Sequence, residues 1–199
     1  MAALDTAKFL YEVLPDEGWK CLVAFPLAGG APLNFWFDRI DQMAEAALKL
    51  DATEQFAISH ACAGFRDKGD RYSGRKADNA IAVGSAWLDI DCGDDKPYLT
   101  QTDAARAILA FCKSVDLPLP LFVNSGYGLH VYWTFPTRDV PLDAWRGWTA
   151  NLAVLLDRHG VVVDRLRTRD LSTALRTVGT HNRKFGSSRL VTASEPGTV

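Results

Sequence analysis

Apolar residues recur at helical spacing from Ala3 to Val13 and from Phe37 to Leu50, the second with Asp38 and Asp41 near its positive end, so both segments are predicted helices. Between them the apolar run Lys20 to Phe25 predicts a buried strand, and Phe56 to Ser59 predicts another. From Gly64 to Asp78, GFRDKGDRYSGRKAD, the periodicity disappears and charge falls on almost every other residue, which predicts a loop. Beyond Ile81 the order is regular: strand Ser85 to Asp91, helix Thr102 to Val115, strand Leu121 to Asn124, strand Leu129 to Phe135, helix Leu142 to His159, then the short apolar run at Val161. Ser125-Gly126-Tyr127-Gly128 supplies a tight turn between the two middle strands, Thr102 is the expected N-cap of the first helix, and Gly160 closes the second. The sum is β-α-β-β-α with a closing strand: an α+β, ferredoxin-like or RRM-like sheet, with helices on one face and the other face free.

With 199 residues, 48% of them apolar, the chain is long enough to bury a core as one compact unit. A formal charge of −2 argues against a polyanionic partner until its distribution is considered. Arg158 to Arg189 holds eight Lys or Arg against Asp164 and Asp170 only, about +6, which leaves about −8 for the rest. Such a stretch either guides nucleic acid to one place or is a solvated basic face. The four cysteines stand singly, with no zinc spacing, and are expected to be reduced and structural. The N-terminus has no secretory pattern and no run approaches the ~20 apolar residues of a membrane span, so the expectation is a cytoplasmic protein with no membrane partner. Ala193 to Val199 reads as a flexible tail or linker, consistent with a piece of a larger protein.

Three groups of residues carry candidate chemistry. In Trp87-Leu88-Asp89-Ile90-Asp91, alternation puts both carboxylates on one strand face with Cα atoms ~6.6 Å apart, able to converge on one or two divalent cations. Oxygen-only ligands point to Mg²⁺ or Mn²⁺; the bland alternative is a solvated strand edge. In Asn124 to Trp133, Gly126 and Gly128 would let backbone N–H groups approach a phosphate, with His130 adding a directed donor, unless His130 is simply a satisfied structural residue. In Arg169 to Lys184, Asp170 is a candidate third carboxylate or a helix N-cap for LSTALR, while Arg176 and Lys184 are candidate phosphate contacts. No GxxxxGK[ST] occurs, which excludes a P-loop motor in these residues, and there is no H-x-H pair of the nicking-endonuclease kind.

Taken in order, WLDIDCG, NSGYGLHVYW and RDLSTALRTVGTHNRK resemble the three motifs of the archaeo-eukaryotic primase (AEP) superfamily, in particular the primase-polymerase domains of phages and plasmids, over about Arg75 to Lys184. The resemblance implies an RRM-like catalytic module, about residues 79–192, packed against an N-terminal α/β module, about residues 1–78. It implies two Mg²⁺ or Mn²⁺ ions on Asp89, Asp91 and Asp170, and a nucleotide site of Ser125, Gly126, Gly128, His130, Arg176 and Lys184. The implied partners are nucleoside triphosphates, a single-stranded DNA template and a helicase domain in the same or another chain. If phage or plasmid encoded, the protein would work in the cytoplasm of a bacterial host. Two positions depart from the third motif: Thr173 and Val178 stand where an arginine and a proline are usual. Asp164, after the valine run, rivals Asp170 as third carboxylate.

The leading expectation is therefore a DNA primase-polymerase, a metal-dependent nucleotidyltransferase. The alternative is a non-catalytic module that binds single-stranded nucleic acid as a replication initiator or accessory, which the two departures favour. A glycosyltransferase would also use DxD on a nucleotide diphosphate, but has no use for the His130 and Lys184 motifs together.

Overall fold

A computed structural model describes residues 4–194. Helix α1 (Thr6–Val13) starts at Asp5, whose side chain accepts from the Lys8 N–H. Strand β1 (Lys20–Pro26) pairs antiparallel with β2 (Leu33–Phe37), and α2 (Ile40–Ala52) follows. Phe37 thus ends a strand instead of opening the helix. The run Leu33-Asn34-Phe35-Trp36-Phe37 suits a half-buried pleat as well as a helical face, and pairing with β1 decides it. Strand β3 (Phe56–Ala61) lies on the other side of β1. Short strands β4 (Ala63–Phe65) and β5 (Ala80–Val83) flank the charged loop.

Next come β6 (Ser85–Asp91), α3 (Gln101–Val115), β7 (Leu121–Asn124), β8 (Gly128–Thr134), β9 (Val140–Pro141) and α4 (Leu142–Arg158), in the predicted order apart from the short β9. The cap of α3 is Thr100, two residues before the expected Thr102, because Asp103 returns a hydrogen bond to the Thr100 N–H and closes a capping box. After Gly160 (φ +67) the three valines form no strand; Val161 packs beneath α3 and α4, and only the Asp164 N–H reaches β6, at the Asp89 carbonyl, 2.9 Å. A short helix α5 (Arg165–Arg169) precedes β10 (Ala174–Arg176), β11 (His181–Asn182), β12 (Arg189–Leu190) and β13 (Thr192–Ser194).

The RRM-like sheet runs β6-β8-β7-β13, so the closing strand adds to the β7 edge. Ala193 and Ser194, expected in a tail, belong to that strand; residues 195–199 of the expected tail lie outside the described residues. The N-terminal sheet runs β2-β1-β3-β10, so its last strand comes from the far end of the chain. A boundary near residue 78 therefore divides the sequence but not the hydrogen bonding.

Alternation along β6 sorts the core. Leu88 and Ile90, with Leu129 and Val131 of β8, pack under α3 and α4. Trp87 and Tyr132 point the other way and join Phe9, Leu22 and Ile58 of the N-terminal module in one hydrophobic cluster. The face expected to be free is thus half covered, and the uncovered half carries Asp89, Asp91 and His130. His60 sits fully buried in this interface, 3.3 Å from the Tyr132 hydroxyl and 3.4 Å from that of Thr177. Burial pushes its imidazole down to about 3. The unfolded chain takes up that proton from about pH 6.5 downward while the folded state resists, so His60 contributes stability above pH 6.5 that is lost progressively toward pH 3. Urea midpoints measured from pH 7 to 4 should fall steeply, and His60→Asn should flatten that slope.

Candidate active site

Strand register decides which side chains meet. β6 and β8 pair with Asp89 opposite His130 and Asp91 opposite Gly128, which leaves Asp89 Oδ1 3.6 Å from His130 Nε2. The close approach makes Gly128 necessary, since a Cβ there would lie 2.5 Å from the Ile90 carbonyl oxygen. Around these residues opens a cleft of about 380 Å³, lined by the carboxylates Asp89, Asp91 and Asp164 and by the cations Arg167, Arg176 and Lys184.

Asp89 is largely buried, and that burial, with the neighbouring Asp91 and Asp164 carboxylates, lifts its carboxyl to about 6 although Arg167 and Lys184 pull it down. The Arg167 Nε lies between two carboxylates, 3.4 Å from Asp89 Oδ2 and 3.3 Å from Asp164 Oδ2. Asp91 is more open, with 70% of its side chain exposed, and meets Lys96 Nζ at 3.3 Å. His130 is held neutral, its pKa pushed well below the usual value by burial and by nearby His60, Arg176 and Arg167. Its Nδ1 and the Arg176 Nη1 are buried without a hydrogen-bond partner, two polar atoms that a ligand in the cleft can satisfy.

The Lys184 strand end is fastened from several sides. Asn182 donates to the Ser125 carbonyl at 2.6 Å and accepts from the Lys184 N–H at 3.3 Å, tying the hairpin turn to the third motif. Buried Asp51 accepts from the His181 N–H at 2.8 Å, from His181 Nδ1 at 2.7 Å and from Arg183 Nη1 at 2.5 Å.

Of the residues predicted from sequence, Asp89, Asp91, Ser125, Gly128, His130, Arg176 and Lys184 line this cleft together. Gly126 does not. The two glycine N–H groups are not offered to a phosphate: Gly126 donates to Asn124 Oδ1 at 2.9 Å and Gly128 to Ser125 Oγ at 3.2 Å. Asp170 also stands outside the lining, its carboxylate bound by the Ser172 N–H and hydroxyl at 2.8 Å, and it ends α5 instead of N-capping a helix, because LSTALR forms a turn and β10. Asp164 lines the cleft in its place. Asn182, a matching position of the third motif, lines it as well. Arg167 was not singled out from sequence; its spacing three residues after Asp164, one helical turn, was the available signal.

Neither a protein-family model nor a curated protein matches the sequence. Solved structures do. The AEP domain of the cyanophage S-2L primase-polymerase superposes with a TM-score of 0.60 at 16% identity, over 89% of this chain and 80% of that one. The fold is that of an AEP primase domain. Primase RepB' gives a TM-score of 0.56 at 12% identity, over 89% of this chain and 51% of that one. The catalytic domain of RepB' in complex with initiator DNA gives 0.55 at 12%, over 89% and 77%. Within this AEP fold the two departures from the third motif fall away from the cleft surface. Thr173 is buried and donates to the Arg167 carbonyl at 3.0 Å, and Val178 is in the core.

Proposed function

We propose that the chain is a DNA primase-polymerase that transfers nucleotides from nucleoside triphosphates onto a growing strand along a single-stranded DNA template. The observation that carries this reading is one cleft that gathers three carboxylates and three cations, with two buried unpartnered polar atoms, His130 Nδ1 and Arg176 Nη1, on residues that line it. In the reaction the strand's 3′-hydroxyl oxygen bonds to the α-phosphorus as the bond to pyrophosphate breaks, so negative charge develops at both ends of the transfer.

The acidic donors of the cleft are all carboxylate oxygens, and Asp89 is largely buried with Asp91 and Asp164 nearby, so these residues fit a hard divalent cation, Mg²⁺ or Mn²⁺. Among the described residues no three acidic, His or Cys side chains already surround one point; Asp89 and Asp91 would hold the metal, with Asp164 the adjacent carboxylate. Bound metal supplies activation of the attacking hydroxyl and charge neutralisation at the leaving pyrophosphate. Arg176 and Lys184 bind the triphosphate, the first as a fork and the second as a point charge. Neutral His130 adds a hydrogen-bond donor, and Ser125 Oγ, which accepts from Gly128, keeps its proton for a phosphate oxygen.

Thr173 and Val178, the features that favoured a binding module, carry less weight now that both are buried, whereas the cleft keeps the acidic pair and its phosphate-binding cations. Incubation with Mn²⁺ or Mg²⁺, labelled triphosphates and a primed template separates the two readings, because a binding module shifts DNA and makes no product. Lys184→Ala should raise the nucleotide KM about tenfold or more with a smaller change in kcat. Its backbone stays fixed by Asn182 and by the Tyr127 hydroxyl on the Lys184 carbonyl. An unchanged KM would remove Lys184 from the triphosphate site.

A further inference from the structure

Phe185 stands beside the cleft with 85% of its surface exposed. A single exposed apolar residue is ordinary, and Leu166 is as exposed. Phe185 differs in being held there. Its backbone is left-handed, φ +56 and ψ +30, a conformation that a bulky side chain rarely adopts. Its ring stands edge-on to Tyr127, centroids 5.2 Å apart and planes at 87°. Tyr127 is itself fixed: its hydroxyl donates to the Lys184 carbonyl at 2.6 Å, and the Arg189 guanidinium lies 4.2 Å over its ring. Arg189 is anchored in turn by a 2.8 Å bond to the Gly126 carbonyl. Tyr127 and Lys184 both line the cleft, so the exposed ring is at its rim.

We infer that Phe185 is a stacking post for an unpaired nucleobase of the strand entering the cleft. This rests on the reading of the chain as a protein that takes a single-stranded template. A base is the occupant that fits because the ring rises from a strongly basic segment in which Arg189, over the neighbouring Tyr127 ring, has no ion pair among the described residues. A single strand alternates flat π-faces with phosphates and so matches an exposed aromatic ring on a basic segment. An apolar peptide would meet Phe185 but leave the charges unused. The Tyr127 ring edge and the Arg189 stack preset the ring, so less freedom is lost when a base arrives.

The test is binding of the full chain to labelled oligothymidylate by fluorescence anisotropy, over a salt series, for wild type, Phe185→Ala, Phe185→Gly, Phe185→Trp and Arg189→Ala. Phe185→Ala and Phe185→Gly should weaken binding about tenfold with the salt slope unchanged, whereas Arg189→Ala should lower the slope by about one. Phe185→Trp should bind within about twofold of wild type. Its added emission should be quenched by oligothymidylate and not by an abasic strand of equal length. Phe185→Gly, relieved of the left-handed strain, should melt no lower than wild type, which separates lost stacking from lost fold. If wild type binds and the Ala and Gly variants bind equally well, the stacking post is wrong while the nucleotidyl-transfer reading stands. If wild type binds no single strand at all, the template reading fails and this inference with it.

Discussion

Asp89→Ala or Asp91→Ala should cut nucleotide incorporation about a thousandfold or more, ~4 kcal/mol of transition-state stabilisation, without loss of fold. Both carboxylates leave β6 on the half of its face that the N-terminal module leaves uncovered, and both line the cleft that also holds Arg167, Arg176 and Lys184. Asp89 is expected to show the larger effect because it is buried between His130 and Arg167, where no solvent group can replace it. The same burial makes the residue costly in the absence of its ligand: its carboxyl is raised to about 6 by desolvation and by Asp91 and Asp164. Removing it relieves that penalty, so the melting temperature of Asp89→Ala should equal or exceed wild type. Activity lost together with the fold would point to a structural role, and variants that extend primers at the wild-type rate would take the pair out of the mechanism.

Asp51→Ala should be the most destabilising single change at the site's support, by about 3–5 kcal/mol. The change leaves the Arg183 guanidinium, only 11% exposed, facing the end of α2 with its carboxylate partner gone. It also strips acceptors from the His181 N–H and ring. Burial alone would raise the Asp51 carboxyl, but the bonds from Arg183 and His181 outweigh it and hold the group below the usual carboxylate range. Its contribution is therefore fully present above about pH 4 and is lost as pH falls below that. Because Asp51 fastens the strand that leads into Lys184, the variant should also bind nucleotide less tightly at temperatures where it remains folded. Urea denaturation and nucleotide titration of the same variant check both halves. A shift under 1 kcal/mol would show that Arg183 finds another partner.

The sequence was most legible where one local pattern decided the outcome. Ser85–Asp91 and Leu121–Asn124 form strands over the predicted spans because each is a short, mostly apolar run that is buried on both faces, with polar alternation only at Asp89 and Asp91. It was least legible where a distant partner decided. Val161–Val163 has the composition of a strand, yet Gly160 turns it beneath α3 and α4, and the sheet closes with Thr192–Ser194, small and polar residues that look like a tail until β7 pairs with them. The choice between Asp164 and Asp170 was open in the sequence for the same reason. The two flank the same basic segment, Arg165 to Arg169, and only the hydrogen bond from the Asp164 N–H to the Asp89 carbonyl draws Asp164 to the cleft while Asp170 turns back on Ser172. Asp51 carries no motif signal, since its importance lies in three bonds to residues about 130 positions away.

The central claim is that this cleft joins nucleotides under the direction of a template. A primed oligonucleotide with one defined unpaired template base, offered each triphosphate in turn with Mn²⁺ or Mg²⁺, tests it most directly. The account predicts extension by one nucleotide, complementary to that base, with release of pyrophosphate and no extension by Asp89→Ala. Absence of product with every triphosphate and both metals, or product indifferent to the template base, would contradict it.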